Sequence, residues 1–230
     1  MISMLSSSYR ELIENLNSAG ARLVAVSKTK SSAEIRAVYE LGQRDFGENY
    51  VQELTEKQKN LPGDIRWHFI GHLQSNKVKT IAPFVYMIQS VDSLKLLLEI
   101  NKQAEKNQRT ISCLLQIHIA REETKFGLDE EELQSLISSL ISLRDSGTAK
   151  HIRIAGCMGM ASLTEDEQVI HQEFSKLHSI FEKIKAALPA DHTDTLSMGM
   201  SSDYQIALAC GSTMVRIGSL VFGARTSINK

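Results

Sequence analysis

Residues 23–41 read LVAVSKTKSSAEIRAVYEL, and this stretch contains the unit from which the fold is predicted. A short apolar, β-branched run at residues 23–26 is followed by a lysine-containing loop and then by an amphipathic segment. Ser31 and Glu34 match a capping box, in which each side chain accepts an N–H group at the first turn of a helix. The stretch therefore predicts a β-strand, a loop and a helix that ends near Leu41.

The same unit recurs along the chain. Further apolar runs lie at residues 45–47, 67–70, 85–89, 111–119, 152–158, 195–198 and 214–217. Helical segments lie at residues 50–59, 76–81, 94–106, 129–144, 164–187 and 203–209. Asp129 with Glu132, and Thr164 with Glu167, predict two more capping boxes.

Eight such units in one uninterrupted chain favour an α/β fold of the closed (β/α)₈ TIM-barrel type, with an extra N-terminal helix near residues 6–17. An open, doubly wound sheet is the alternative. However, no G-x-G-x-x-G motif follows the first strand, as a dinucleotide-binding sheet would require. Since no linker rich in proline or glycine divides the sequence, we expect residues 1–230 to form a single domain.

The composition is that of a soluble globular protein, with 42% hydrophobic residues, 23% charged residues and a net charge of −1. That charge predicts neither a nucleic-acid nor a membrane partner. The sequence has no apolar run of membrane-spanning length and no signal-peptide pattern, so we expect a cytoplasmic protein. Cys113, Cys157 and Cys210 stand far apart in apolar stretches, which predicts buried free thiols in a reducing compartment.

The first strand ends at a candidate nucleophile, Lys28. In a barrel of this type, the carboxyl ends of the strands face the active-site mouth. Partial burial there disfavours the ammonium form of lysine and lowers its pKa, as an amine nucleophile requires. An ordinary solvated loop lysine is the alternative. Lys30 lies further into the loop and is the less favoured of the two.

Glycine-containing loops follow the seventh and eighth strands, at residues 197–203 and 216–219. The serines of the first loop offer hydroxyl donors and a cap for the next helix, whose positive end would face an anion. Phosphate sites in barrels recur at these two loops. A plain helix cap is the alternative. Arg216, in an apolar strand, requires either a buried ion pair or a ligand.

Two histidines, His68 and His72, follow the third apolar run closely and could share a strand face. No third ligand is evident in the sequence, so we predict no metal site.

Seven segments together resemble one known family. They are AVSKTK (25–30), FGENYVQE (46–53), WHFIGHLQSNK (67–77), TKFG (124–127), GCMGM (156–160), LSMGMSSD (196–203) and GSTMVRIGSLVFGAR (211–225). The resemblance is to the pyridoxal phosphate homeostasis proteins, single-domain relatives of the barrel domain of alanine racemase. It implies a barrel that binds the cofactor pyridoxal 5′-phosphate (PLP).

The resemblance also implies roles for individual residues. Lys28 is similar to the Schiff-base lysine of the family, and Asn49 to a neighbour of the cofactor ring. Ser201, Gly218 and Ser219 resemble the phosphate cradle. Arg216 resembles the partner of the pyridine nitrogen, and Lys125 a lysine proposed for a second PLP site, although a solvated loop lysine fits Lys125 equally well.

The expected role is PLP homeostasis, by buffering the cofactor or delivering it to PLP-dependent apoenzymes, without robust catalysis. A cation beside the pyridine nitrogen disfavours protonation of the ring and weakens it as an electron sink, which argues against aminotransferase chemistry. Alanine racemase takes an acid–base tyrosine from a second domain, and none follows the eighth strand here. The family suggests a monomer. The alternatives are a weak amino-acid racemase or related PLP enzyme, and an aldolase-type enzyme that uses Lys28 directly on a phosphorylated substrate.

Overall fold

The computed structural model describes residues 2–122 and 126–223, with side chains from residue 7 onward. Its strands form one closed parallel barrel in sequence order, in which the first strand pairs with the last. The strands are β1 (Arg22–Val26), β2 (Asp45–Glu48), β3 (Arg66–Phe69), β4 (Met87–Val91), β5 (Ile111–Gln116), β6 (Ile152–Met158), β7 (Thr195–Ser197) and β8 (Met214–Ile217). The predicted (β/α)₈ barrel is therefore confirmed, and the open sheet is excluded.

Helices surround the barrel and alternate with the strands. In the described part of the chain they are α1 (Ile2–Ser18), α2 (Ser32–Glu40), α3 (Val51–Asn60), α4 (Val78–Ile81), α5 (Leu94–Lys106), α6 (Glu130–Asp145), α7 (Glu167–Ala187), α8 (Tyr204–Ala209) and α9 (Ser219–Phe222). Short 3₁₀ turns lie at Ser75–Lys77 and Pro189–Asp191. The N-terminal helix α1, expected at residues 6–17, precedes β1 as predicted.

Of the three predicted capping boxes, two are confirmed and one is wrong. Both reciprocal bonds of the predicted capping boxes form at the starts of α2 and α6. The box predicted for Thr164 and Glu167 is wrong, because Asp166 caps α7 and accepts the N–H groups of Gln168 and Val169. Thr164 instead accepts the N–H of Asp166, and so lies two residues too early to cap the helix.

The observed strand bounds differ most from the predicted ones where buried residues continue beyond the strand. The fourth run was predicted from Val85, but β4 begins two residues later. The N–H of Val85 donates to the carbonyl of Ile81, so this buried residue belongs to the turn after α4. The fifth strand likewise ends at Gln116, although Ile117 and Ile119 beyond it stay buried.

Apolar side chains form two layers of core. The larger cluster lies between the sheet and the helices, and the smaller one includes Val24, Met87, Leu114 and Met214 of the strands. The three cysteines are buried and free, as predicted, and burial raises the pKa of the Cys113 and Cys157 thiols. Among the described helices, none has the length and apolar character needed to cross a membrane.

Candidate functional site

A cavity of about 460 Å³ opens where β1 and the loops after β7 and β8 meet. All six residues predicted to bind one ligand line it: Lys28, Asn49, Ser201, Arg216, Gly218 and Ser219. The structure thus brings together side chains that are almost 190 positions apart in the sequence. Small-molecule sites in proteins have volumes of roughly 300–1,000 Å³, so the cavity fits one small ligand.

The half-buried Lys28 lies in a tight turn directly after β1. The N–H of Lys30 donates to the carbonyl of Ser27 at 3.0 Å and closes the turn. Thr29 has a φ of 65°, a conformation that residues other than glycine adopt rarely and at a cost. The turn is therefore strained and requires support from its surroundings.

That support is a cluster of buried charges beneath the turn, which we call the Lys57 cluster (Glu48, Glu53 and Lys57). The Lys57 ammonium donates to the carbonyl of Ser27, to Glu48 Oε1 and to Glu53 Oε2, each at 2.8 Å. The Ser27 hydroxyl donates to Glu48 at 2.5 Å, and the Thr29 N–H donates to Glu53 at 2.9 Å. The backbone on both sides of Lys28 is therefore fixed by the cluster.

Glu48 is the most buried member of the Lys57 cluster, with no exposed surface. Burial raises the pKa of its carboxyl to about 7, against the hydrogen bonds from Lys57 and Ser27, which lower it. Its second oxygen, Oε2, has no hydrogen-bond partner among the described residues. Burial also acts to raise the pKa of Glu53, but the hydrogen bonds from Lys57 and Thr29 and the charge of Lys57 together outweigh it, so the pKa of Glu53 is lowered.

The loop after β7 forms a second side of the cavity and contributes Ser201. Gly199 turns the backbone at a φ of 97°, and a Cβ atom there would approach Ala207 Cβ to 2.7 Å. Asp203 Oδ1 accepts the Met200 N–H at 2.6 Å. The expected serine cap is wrong, because the residue at the start of α8 is Asp203 and no side chain caps that helix.

The loop after β8 contacts the end of β1 directly. Strand pairing aligns Ala25 with Ile217, and a Cβ atom on Gly218 would lie 3.2 Å from the carbonyl oxygen of Val26. Glycine permits this close approach. Gly218 and Ser219 therefore lie beside the Lys28 turn.

Arg216 lies below these loops, 5% exposed, at the floor of the cavity. It donates to the carbonyl and hydroxyl oxygens of Ser197 at 2.9 and 2.7 Å, and to the carbonyl of Gly159 at 3.0 Å. Within the described part of the chain, these bonds use three of the five N–H donors of a guanidinium. Burial lowers the pKa of Arg216 to about 10, while the charge of Asp203 raises it, so the side chain stays cationic at neutral pH.

The wall near β2 and β3 carries an unmatched acceptor. Asn49 Oδ1 is buried and has no hydrogen-bond partner among the described residues. Apolar side chains of Val26, Ile70 and Met160 complete the lining. Concave surfaces lined mostly by apolar side chains, with a few polar groups, are typical of cofactor pockets.

Sequence reasoning missed the residues that hold the predicted ones in place. Lys57 and Glu53 are spaced i, i+4 on α3, a pattern that usually indicates a solvated ion pair. Ser197 and Gln89 stood within apolar strands and gave no separate signal. Only the closed barrel shows that Lys57 and Glu53 contact the Lys28 turn. The same closure brings Ser197 to Arg216, and Gln89 to Ser197.

Three further expectations concern residues away from the cavity. Lys125, suggested for a second PLP site, lies outside the described residues. His68 is buried inside the barrel, whereas His72 is exposed, pairs with Asp92 and stacks on Phe126, so the two histidines do not share a face. Among the described residues, no group of three or more His, Cys, Asp or Glu side chains could hold a metal.

Comparisons with known proteins agree on one family. The family model for the alanine racemase N-terminal domain matches residues 3–226. A pyridoxal phosphate homeostasis protein of Pasteurella multocida is 42% identical over 212 residues, covering 90% of this chain and 88% of that protein. One of human origin is 40% identical over 216 residues, covering 89% of this chain and 76% of that protein.

Solved structures of similar proteins match nearly the whole chain. PipY of Synechococcus elongatus, 32% identical, has been solved without PLP and with PLP bound, and these structures match with TM-scores of 0.85 and 0.82. Each match covers 95% of this chain and 100% of that chain. An alanine racemase of Bartonella henselae with covalently bound pyridoxal phosphate, 19% identical, has a TM-score of 0.71 over 98% of this chain and 61% of that chain, which shows a shared fold.

Proposed function

Since the chain belongs to the pyridoxal phosphate homeostasis proteins of the alanine racemase N-terminal domain family, we propose that it binds PLP as a Schiff base on Lys28. The amine of Lys28 would condense with the aldehyde of PLP, and one water molecule would leave. The observation that carries this proposal is that Lys28 and the loops after β7 and β8 line the same cavity. An amine and an anion site in one pocket match the two ends of PLP.

The polar groups of the cavity suit PLP at each edge of its ring. Ser201, Gly218 and Ser219 line the cavity, and their hydroxyl and backbone N–H groups would hold the phosphate. Asn49, with its unmatched buried Oδ1, would face the polar edge of the ring. Arg216 has N–H donors beyond those bound to Ser197 and Gly159, and these would reach the pyridine nitrogen.

We propose that the role is PLP homeostasis rather than catalysis. A cationic Arg216 donating to the pyridine nitrogen would keep that nitrogen unprotonated, because two positive charges in contact repel each other. An unprotonated ring withdraws electrons weakly, which disfavours reactions that pass through a carbanion. The names of the related homeostasis proteins support the same role.

We further propose that residues 1–230 act as one PLP-binding unit, as a cytoplasmic monomer that buffers PLP or passes it to PLP-dependent apoenzymes. Lys28 is only half-buried, and access of water to it favours exchange of the cofactor over its permanent retention.

The decisive experiment is to trap the adduct. Purified protein, incubated with PLP, should absorb visible light, and borohydride should bleach it and leave a reduced adduct that mass spectrometry places on Lys28 rather than on Lys30. Lys28→Arg, which keeps the charge but cannot form a Schiff base, should give no adduct. Protein that PLP fails to colour would contradict the proposal and favour the aldolase alternative.

A second measurement tests the absence of catalysis. Alanine or serine incubated with the PLP-loaded protein should keep its optical rotation. Robust racemisation that Lys28→Arg abolishes would establish the enzymatic alternative.

A further inference from the structure

Arg216 is one end of a line of hydrogen bonds that crosses the interior of the barrel. The Ser197 hydroxyl, which accepts from Arg216, donates to Gln89 Oε1 at 2.7 Å. Gln89 Nε2 lies 3.0 Å from His68 Nδ1, and His68 Nε2 lies 2.9 Å from Asp45 Oδ1. We call Ser197, Gln89 and His68, which come from β7, β4 and β3, the through-barrel chain.

The through-barrel chain connects Arg216 to Asp45. The chemistry of these two residues fixes which group donates and which accepts in every hydrogen bond between them. Arg216 can only donate hydrogen bonds. At the other end, burial alone would raise the pKa of Asp45, but bonds from Arg66 and His68 outweigh it and hold that pKa well below its usual range. Asp45 is therefore an ionised carboxylate that can only accept.

Each bond between these ends must run the same way. Ser197 donates to the amide oxygen of Gln89, the amide nitrogen of Gln89 donates to His68 Nδ1, and His68 Nε2 donates to Asp45. His68 is consequently neutral, with its proton on Nε2. Neither the amide of Gln89 nor the ring of His68 can turn over without losing a bond at each side.

The surroundings of His68 keep it neutral. It is fully buried, and burial lowers its pKa against the opposing effect of Asp45, with the charges of Arg22 and Arg66 lowering it further. The ring of Tyr86 lies against it, with centroids 5.4 Å apart. Among the described residues, the charged groups that chiefly affect the pKa of His68 are Asp45, Arg22 and Arg66.

We propose that the through-barrel chain positions Arg216, holding its guanidinium so that the unused donors face the bound ligand. An arginine side chain has many rotamers, and a hydrogen bond to a fixed hydroxyl removes that freedom before the ligand arrives. Ser197, Gln89 and His68 do not line the cavity, so they act through Arg216 rather than on the ligand. This inference rests on the proposed function, because the ligand that Arg216 meets is taken to be PLP.

The test uses the absorbance spectrum of bound PLP and its pH dependence, together with the PLP dissociation constant. Arg216→Gln should shift the spectrum and sets the reference. Ser197→Ala and Gln89→Leu each break the through-barrel chain and should shift it in the same direction. Each should also raise the dissociation constant about tenfold, the lower end of what loss of a supporting partner costs at a metal ligand.

Two controls separate positioning from general damage. Gln116→Leu makes the same substitution at a buried glutamine of β5 that donates to the carbonyl of Phe126, outside the through-barrel chain. It should leave the spectrum unchanged. The double variant Ser197→Ala/Gln89→Leu should shift the spectrum no further than either single variant, because both interrupt the same line of bonds.

The outcomes distinguish the inference from the function on which it rests. A wild-type chain that forms no borohydride-trapped adduct on Lys28 would remove the proposed function. The inference alone would be overturned if the protein binds PLP and its spectrum responds to Arg216→Gln but not to Ser197→Ala or Gln89→Leu. An equal shift in Gln116→Leu would also overturn it.

Discussion

Ser201 lies in the loop after β7, between Gly199, where the backbone turns at positive φ, and Asp203, which holds the Met200 N–H. Its hydroxyl is the side-chain donor that we assign to the phosphate. A hydrogen bond to a charged group contributes roughly 1.5–3 kcal/mol. Ser201→Ala should therefore weaken PLP binding by about one to two orders of magnitude without unfolding the protein.

Titration with PLP in a phosphate-free buffer would measure this effect. Ser138→Ala, at an exposed position on α6, is the matched control and should bind PLP like the wild type. A dissociation constant that Ser201→Ala leaves unchanged would remove Ser201 from the phosphate site.

At this scale, the sequence predicted the residues that line the cavity but not those that support them. Arg216 was identifiable because a permanently charged residue in an apolar strand requires an ion pair or a ligand. Lys28 was distinguished from a solvated loop lysine by the resemblance to a known family. Lys57 was not, because a lysine on an amphipathic helix is normally solvated, and its burial depends on how α3 packs against β1 and β2. Burial of this kind is a tertiary property that local sequence does not encode.

At the scale of elements, the turn after β1 and the helix α3 act as one unit. Glu53, on the first turn of α3, accepts the N–H of Thr29, the residue at positive φ. Glu53→Ala would remove this bond and the bond from Lys57 to the same carboxylate. The net contribution of one such bond is about 0.5–1.5 kcal/mol. We expect PLP to bind about threefold to tenfold more weakly, because the Lys28 turn loses part of its preorganisation.

Glu56→Ala provides the comparison for that experiment. Glu56 is one turn further along α3 and exposed, and its side chain enters no hydrogen bond or ion pair among the described residues. The Glu56→Ala variant should bind and release PLP at the same rates as the wild type and with the same dissociation constant. Equal weakening by both substitutions would show that the effect comes from the net charge of α3 rather than from the turn.

Elements were predicted best where a local chemical signal marks their ends. The capping boxes at Ser31 and Asp129 are local in sequence and were found. The start of α7 was misplaced because two residues, Thr164 and Asp166, can both cap a helix, and only the path of the chain decides between them. The end of β5 was missed because burial continues into Ile117 after the strand pairing stops.

For the whole molecule, the buried carboxyl of Glu48 predicts a pH-dependent stability. In the folded protein its pKa is raised to about 7 from the ordinary 4.5, so the folded state binds a proton that the unfolded state releases. This stabilisation is complete below about pH 4.5 and is lost as the pH rises towards 7. Its full size is on the order of 3 kcal/mol.

Chemical denaturation of the wild type and of Glu48→Gln, at pH values from 5 to 8, would test this. The glutamine keeps acceptors for Lys57 and Ser27 but does not titrate. The free energy of unfolding of the wild type, minus that of Glu48→Gln, should fall as the pH rises. The effects of His68 and Asp45 cancel in this difference, and a flat difference would contradict the prediction.

The overall architecture was predictable because it repeats. Eight strand-then-helix units leave few arrangements that bury every strand, and the closed barrel is the simplest of them. The polar interior was not predictable. Gln89 and Ser197 sit in strands whose other residues are apolar, and only barrel closure aligns them with Arg216.

The pairing of β1 with β8 has a consequence for the protein during its synthesis on the ribosome. Lys28, whose amine we propose to bind PLP, is synthesised early in translation. Its neighbours Gly218 and Ser219 are among the last described residues to leave the ribosome. A nascent chain could not hold the cofactor until the final strand had docked against the first. Uptake of PLP would therefore report that β8 has been synthesised and has paired with β1, and a ribosome-stalled chain lacking β8 should stay colourless.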